Sequence, residues 1–411
     1  MNSMQEKYPL NILSSLNLKN KIKATESQIN SWNSFSQRTD TIADDLVVAF
    51  RKVGKVGREQ FNQALEYGIE SVDEPIPEVK RFFEAMDNTP YWVDFEKIEL
   101  AQKVMSSIPN SIVLPVMIAF GLPASYIISK VNQTLIRSGE LESKAASRLI
   151  ETTAWMFYCS VPGGLDRYAK GFKTTAHVRL VHAYMRAGLN HLPDWDYEAW
   201  DVPINQTQQA ITITPFLAGT FLTIPLGNLM SLREMKAIFH FWRYLSHLLG
   251  IHPEMQISNL NDFLKMTWLT FTQEVKTDEF TPRLGRAMLN AIPEIYGLNT
   301  SGILSKPKIF LMKKYHHQLC RLTLGQDFGD DLGADKRNLI MASIFIIAAY
   351  HFMTDLPLRL IPPLYKKEQK KRIERTNEFF DSAFKRLKAN AKFNRENAKV
   401  DSKLIDKFFN K

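Results

Sequence analysis

Residues 147–186 read SRLIETTAWMFYCSVPGGLDRYAKGFKTTAHVRLVHAYMR, and this stretch decides the fold. Its apolar residues recur every three or four positions, which is the period of an amphipathic helix rather than of a strand. The step Pro162-Gly163-Gly164 interrupts that pattern, because proline and paired glycines favour turns. We therefore predict a helix, a tight turn and a second helix.

The helical period extends along most of the chain. Between Glu78 and about Pro363, breaks at glycine and proline separate segments of helix length, and strand alternation is scarce. One helix has a clear start and end, because Ser231 and Glu234 form a capping-box pattern and Gly250 is a typical stop. The predicted fold class is all-α, with many helices in one central domain.

Three segments contain no charged side chain: residues 104–129, 202–232 and 338–354. Length alone would let at least the first two span a bilayer. Prolines and glycines interrupt both of them, which favours a buried apolar interior that surrounds a ligand. Membrane insertion is the alternative interpretation.

Cysteine content excludes two kinds of site. The chain has 411 residues, of which 45% are hydrophobic, so it is long enough for a large core. Its two cysteines, Cys159 and Cys320, can form neither a disulfide framework nor a four-thiolate zinc site. Any metal chemistry must therefore depend on histidine, carboxylate or a cofactor.

We divide the chain into a helical N-terminal extension (1–77), a central domain (78–363) and a basic amphipathic C-terminal helix or tail (364–411). Residues 366–411 hold 15 Lys or Arg and 7 Asp or Glu, so they carry most of the net charge of +9. This pattern is typical of a helix that binds an anionic membrane surface. No groove-reading motif accompanies it, so we expect no nucleic-acid partner. Since the first residues lack a secretion signal, we expect a cytoplasmic protein with peripheral membrane contact.

His182 is the most promising ligand candidate. At about 100° per residue, an apolar flank and a cationic flank both fall within roughly 60° of it. The apolar flank consists of Val178, Met185 and Leu189, and the cationic flank of Arg179 and Arg186. A b-type haem needs a histidine between an apolar and a cationic surface, because it requires an imidazole for iron, an apolar wall and cations for its propionates. A hydrogen-bonded core histidine would fit the same spacing.

The other histidines are weaker candidates. His177 lies about 140° around the helix from His182, so it cannot reach the same iron from that side. His240 and His247 share a helix face that could line a pocket, although a structural role is favoured. The pair His316-His317 has no carboxylate neighbour in sequence, and we expect it to be solvated.

The run from Leu149 to Arg186, with its RLIET, PGGL and VRLVHAYMR strings, resembles the catalytic domain shared by latex clearing protein, a rubber oxygenase, and the fungal ER-bound oxygenase of mycophenolic acid synthesis. Similar strings occur in the same order at 82–94, 202–206 and 241–250. This resemblance implies an all-α fold with a globin-like core around haem b. It also implies oxidation of an apolar substrate by dioxygen.

The resemblance assigns roles residue by residue. The VRLVH string makes His182 the proximal iron ligand; the helical spacing described above places Arg179 and Arg186 beside the cofactor. Glu151 of RLIET resembles a general base that takes a proton during alkene cleavage. An ion pair between Glu151 and Arg148, three residues earlier on the helix, is the alternative.

Two further positions resemble haem-proximal groups. Arg167 resembles an arginine near the haem, although a pair with a carboxylate is equally compatible. Lys170 resembles a lysine that caps iron from the distal side, and Thr174 is a shifted equivalent of its companion threonine. Lys170 and His182 are 12 residues apart, or about 18 Å along a straight helix, so they could share one iron only if the chain breaks at Gly171.

These patterns together predict a haem-b-dependent oxidoreductase. The expected reaction is oxygenation of an isoprenoid or lipid-like substrate with dioxygen. The alternative is a membrane-associated protein of the same fold that lacks oxygenase chemistry and docks on anionic lipid through its basic tail.

Overall fold

The computed structural model describes residues 22–137, 144–298, 302 and 305–388. These residues form an all-α fold, and the single β-bridge among them joins Ile128 to Lys276. The α-helices are α1 (Glu26–Phe35), α2 (Thr41–Val53), α3 (Lys55–Tyr67), α4 (Pro77–Asp87), α5 (Phe95–Met105), α6 (Asn110–Val116), α7 (Ser129–Arg137), α8 (Ala145–Ser160), α9 (Lys170–Leu189), α10 (Tyr197–Trp200), α11 (Gln206–Leu222), α12 (Leu232–Leu248), α13 (Leu260–Leu269), α14 (Thr281–Asn290), α15 (Ile292–Ile295), α16 (Lys306–Leu324), α17 (Gln326–Asp331), α18 (Met341–Leu360) and α19 (Pro362–Leu387). The prediction of an all-α chain is confirmed.

The predicted helix–turn–helix is the hairpin of α8 and α9. Its turn is so tight that a Cβ atom at Gly164 would lie 2.1 Å from the carbonyl oxygen of Tyr158. A Cβ at Gly171 would lie 2.3 Å from the carbonyl oxygen of Gly164, and the Phe172 N–H donates to that same oxygen at 3.1 Å. Glycine at both positions lets the two helices approach closely.

The capping prediction for α12 is also confirmed. The Glu234 N–H donates to the Ser231 hydroxyl at 3.2 Å, and the Ser231 N–H donates to the Glu234 carboxylate at 2.7 Å. The helix ends at Leu248, and Gly250 follows with a φ of +77°. This helix packs against α5 and α11, where Trp242 stacks on Phe216 with ring centroids 6.3 Å apart.

The helices before residue 78 pack into the same hydrophobic core as the central domain. Helix α2 buries Leu46, Val47 and Phe50 and packs against α4 and α9. The Phe50 ring lies 6.4 Å from that of Tyr184 on α9. The N-terminal helices therefore form part of the wall behind α9.

The C-terminal helix is folded onto the protein. As predicted, α19 is amphipathic, but its apolar residues Phe380, Ala383 and Phe384 are buried. The Phe380 ring lies 5.5 Å from the ring of Phe157 on α8. The apolar face is thus not available to a membrane, which corrects our expectation for this part of the tail. Residues 389–411 lie outside the described residues.

The three uncharged segments differ in how far they are buried. Residues 104–129 and 202–232 are largely buried, as we expected of an apolar interior. The third lies mainly on α18, whose outer side is exposed. Among the described helices, α18 has the length and apolarity to cross a membrane, and α5 with residues 110–125 passes the same test only as a pair bent by 99°.

One sequence expectation about histidines is wrong. His316 is 2% exposed rather than solvated, and its ring contacts the Met312 carbonyl oxygen at 2.7 Å and the Tyr296 hydroxyl at 3.2 Å. The neighbouring His317 does have a carboxylate close by, since its Nδ1 lies 3.1 Å from Asp335. The sequence analysis missed that carboxylate because Asp335 is 18 residues from His317 in the chain.

Candidate functional site

His182 lies in the second half of α9, where the helix faces the start of α11. The residue is half-buried, and its Nδ1 is buried without a hydrogen-bond partner. Burial and the positive charge of Arg186 lower the pKa of His182 to about 4, against the opposing effects of Gln209 and Asp40. The ring is therefore neutral at physiological pH and offers a lone pair to a metal.

Gln209 on α11 is a hydrogen-bond partner of the His182 ring. Its amide nitrogen donates to the Ile204 carbonyl oxygen at 3.5 Å, so the amide oxygen is left as an acceptor. A hydrogen bond with Gln209 raises the pKa of His182, as expected when the ring N–H donates. The ring nitrogen without a partner is Nδ1. The sequence pattern missed Gln209, although it lies three residues after the 202–206 string.

Arg179 is already paired with a carboxylate. Its Nε and Nη2 donate to the two oxygens of Asp40 at 2.6 and 2.9 Å, and both side chains are about 5% exposed or less. The guanidinium also lies 4.9 Å from the centre of the Phe82 ring. The expected role beside a haem propionate is thus met by a carboxylate of the protein itself, at the N-terminus of α2.

Arg186 is also engaged, about two turns further along α9. Its Nε donates to Asp44 at 2.8 Å, and its Nη1 donates to the Ile204 carbonyl oxygen at 2.7 Å. The side chain is 2% exposed. The cationic flank predicted from the sequence exists, but Asp40 and Asp44 of α2 neutralise it.

Arg167 takes the alternative that we left open. It lies in the turn before α9, its Nε is 2.5 Å from Asp87, and its other nitrogens donate to the carbonyl oxygens of Ala64 and Leu65. These contacts join the turn to α3 and α4. The structure therefore gives Arg167 a role in positioning the hairpin.

Lys170 and Thr174 are not brought to the level of His182. Helix α9 is continuous from Lys170 to Leu189, so no break at Gly171 folds the lysine back. The Lys170 Nζ lies 3.7 Å from the centre of the Tyr158 ring, and burial lowers its pKa. The Thr174 hydroxyl donates to the Lys170 carbonyl oxygen of its own helix at 2.7 Å. A lysine cap over iron at His182 is thus excluded in this conformation by about 18 Å of helix.

Glu151 does lie near the level of His182. In the α8–α9 hairpin, Trp155 donates to Thr175 at 3.0 Å and the Cys159 thiol donates to the Gly171 carbonyl oxygen at 3.6 Å. Moving four residues towards the N-terminus of α8 therefore corresponds to moving four residues towards the C-terminus of α9. By that register Glu151 is level with Arg179, which precedes His182 by about 4.5 Å along the axis of α9. The Glu151 side chain is half-buried.

Cys159 is a packing residue. Its thiol is buried against Thr175 at 3.4 Å, and burial raises its pKa to about 12. A thiol that stays protonated is a poor metal ligand.

A second histidine with an unpartnered ring nitrogen, His247, lies on α12. The Nε2 of His247 is buried without a hydrogen-bond partner, and burial and the charge of Arg179 lower the pKa of this histidine. Its ring is stacked on Tyr244 with centroids 6.3 Å apart. His240, by contrast, has a structural role because its Nε2 accepts the Asp94 N–H at 2.8 Å.

A small cavity of about 40 Å³ lies on the side of α8 that faces away from α9. Its walls come from α5, α6, α8, α11 and α19, and its lining residues include Met105, Ile108, Val113, Met117, Thr153, Met156, Phe157, Gly219 and Phe380. Gly219 lies ten residues beyond Gln209 on α11, or about 15 Å along the helix. The cavity is apolar and separate from the surroundings of His182.

Residues 112–347 match the family described as ER-bound oxygenase mpaB/B′ and rubber oxygenase, catalytic domain. The chain belongs to this family. Its fold is similar to the solved structure of latex clearing protein in the closed state, with a TM-score of 0.60 at 17% identity over 82% of this chain and 90% of that chain. No curated protein is significantly similar in sequence. The MpaB/rubber oxygenase family is thus established by sequence, and the fold by structure.

The acid response of the unliganded protein follows from the low pKa of His182. In the unfolded chain this histidine binds a proton near pH 6.5, whereas in the folded protein its pKa is about 4. The stabilisation is fully present above pH 6.5 and is lost as the pH falls towards 4, by about 1.4 kcal/mol per pH unit. Urea unfolding at pH 7 and pH 5 should show a loss about 2 kcal/mol smaller for His182→Gln than for wild type. Equal losses would mean that the ring titrates normally in the folded state.

Proposed function

We propose that this protein is a haem-b-dependent oxygenase that uses dioxygen to oxidise an apolar, isoprenoid or lipid-like substrate, with His182 as the protein ligand to iron. The observation that carries the proposal is the half-buried, neutral imidazole of His182, whose Nδ1 is buried without a hydrogen-bond partner. Membership of an oxygenase family supports it.

The donor set near His182 fits haem better than a metal held by protein alone. Among the described residues, no three His, Cys, Asp or Glu side chains converge as metal ligands. A single imidazole can hold iron firmly only when a macrocycle supplies the other ligands. Haem, when bound, supplies an iron centre at which dioxygen is activated.

The residues around His182 have defined tasks in this proposal. Gln209 orients the imidazole through its amide oxygen, in the way that outer-sphere partners orient metal-bound histidines. Arg179 and Arg186 act through their ion pairs with Asp40 and Asp44, which fix α9 against α2. The carboxylate of Glu151 is the base that takes a proton from the substrate carbon next to a double bond.

Absorption spectra test the iron ligand. Wild type and His182→Ala, both expressed with added haem precursor, are compared in the oxidised, reduced and CO-bound forms. We expect a Soret band in wild type that is lost or shifted in His182→Ala. His177→Ala is the matched control on the same helix, because the His177 ring contacts the Lys173 carbonyl oxygen at 3.0 Å and the Phe61 ring instead. An unchanged spectrum in His182→Ala, or a colourless wild type, would overturn the assignment.

The same preparations test the base. Glu151→Gln should keep the Soret band while oxygen uptake with an apolar alkene falls by about 100-fold or more. Uptake at the wild-type rate would remove Glu151 from the mechanism and leave the haem assignment standing.

A further inference from the structure

Helix α18 exposes an apolar side, while its inward side combines the buried polar residues His351 and Asp355 with Ile344 and Ala348. Five residues fall within roughly 40° of one line along the helix. They are Ile346, Tyr350, Met353, Pro357 and Leu360, and all five are exposed, Ile346 by 69% and Met353 by 67%. An exposed apolar stripe of this length marks a contact surface.

The opposite side of α18 is fixed to the protein by polar contacts. His351 lies 3.0 Å from the Ser111 hydroxyl, and Asp355 forms an ion pair with Arg372 of α19 at 2.8 Å. Both residues are buried. Because these polar groups have partners within the fold, α18 is suited to lie along a surface rather than to cross a bilayer.

Exposed cations flank both ends of the stripe. Lys336 and Arg337 precede α18, and four lysines follow it at the start of α19. They are Lys366, Lys367, Lys370 and Lys371. The two charged residues within α18 do not offset these cations, since Asp355 pairs with Arg372 and Arg359 pairs with Glu234. An apolar stripe between two cationic groups complements a bilayer with anionic headgroups.

We propose that the outer face of α18 docks on an anionic lipid bilayer, with the stripe at the boundary between headgroups and acyl chains. The hydrogen bond between His351 and Ser111 links the inner side of α18 to α6. Asn110, the residue before Ser111, lines the apolar cavity and bonds the Thr376 hydroxyl at 2.8 Å. Docking would place lipid on the outer side of α18, whose inner side contacts α6 beside this wall of the cavity. The docking does not rest on the proposed function.

Vesicle flotation tests the surface with the full-length holoprotein. Phosphatidylcholine vesicles with and without phosphatidylserine are the probes, and Ile346→Gln/Met353→Gln is the principal variant. We expect wild type to float with the anionic vesicles and the variant to bind at least about tenfold more weakly. Replacing the four α19 lysines by alanine should weaken binding to anionic vesicles about tenfold or more and remove most of its salt dependence.

Matched controls separate docking from other outcomes. Val56→Gln/Leu232→Gln changes two apolar side chains that are 56% and 76% exposed elsewhere, and should float like wild type. Wild type that floats with neither vesicle, or a principal variant that floats as well as wild type, would overturn the proposal. So would a wild-type dimer in light scattering that the principal variant converts to monomer without any vesicle binding, since the stripe would then contact a second copy. The Soret band of every variant, recorded in parallel, reports separately on the haem assignment.

Discussion

Asp40→Ala should destabilise the protein by about 3–5 kcal/mol, because it leaves the buried guanidinium of Arg179 without a counter-charge. The pair is bidentate and enclosed: a Cβ atom at Gly250 would lie 2.3 Å from Asp40 and 2.6 Å from Arg179. The pair is therefore shielded from bulk water, and both side chains are about 5% exposed or less. Asp40 also caps α2, since its carboxylate accepts the Ala43 N–H at 3.4 Å.

Urea unfolding monitored by circular dichroism measures this loss. Glu59→Ala is the control, because Glu59 forms an ion pair with Lys55 at 2.9 Å on the exposed surface of α3, and such pairs contribute little. The double variant Asp40→Leu/Arg179→Met should recover part of the stability lost in Asp40→Ala, since it removes both charges. An Asp40→Ala protein as stable as the Glu59→Ala control would show that the Arg179 site is open to solvent.

Gly164→Ala should destabilise the fold by about 3 kcal/mol, at the upper end of the range for overpacking. The added Cβ would lie 2.1 Å from the Tyr158 carbonyl oxygen and 2.9 Å from that of Val161, and both are backbone atoms. No side-chain rotation can relieve such contacts, so α8 and α9 would have to move apart.

The control for this substitution lies on the same hairpin. A Cβ atom at Gly188, in the last turn of α9, would meet nothing within 4 Å. Gly188→Ala should therefore stabilise the protein by up to about 1 kcal/mol through helix propensity alone. The two variants are compared by thermal unfolding and by the yield of soluble protein. A Gly164→Ala protein that melts with wild type would mean that the hairpin is looser than the structure shows.

The sequence predicted those features that depend on neighbouring residues. The α8–turn–α9 hairpin is determined by the apolar period around Pro162-Gly163-Gly164, and the start of α12 by Ser231 and Glu234. Both signals depend on a few neighbouring residues, so they can be recognised without knowledge of the tertiary structure. The position of His182 between an apolar and a cationic flank also followed from its spacing on one helix.

The sequence did not predict which partners those residues meet. Asp40 is 139 residues from Arg179, and Asp44 is 142 residues from Arg186. The spacing of the arginines on α9 alone could not distinguish an arginine that binds a ligand from one that is paired with a carboxylate of the protein. The exposed apolar stripe of α18 is different, because His351 and Asp355 fall opposite it on a helical wheel. Most of that signal lies in the segment 338–354, which we described only as uncharged, and Asp355 directly follows the segment.

The ion pairs of α2 also bear on where the enzyme's autonomous folding unit begins. The family match starts at residue 112, yet the counter-charges of Arg179 and Arg186 lie at residues 40 and 44. A fragment cut at 112 would keep two buried cations and lose both of their anions, a loss that burial makes very costly. The smallest chain able to fold by itself therefore includes α2, and the boundary of sequence similarity is not a boundary of stability.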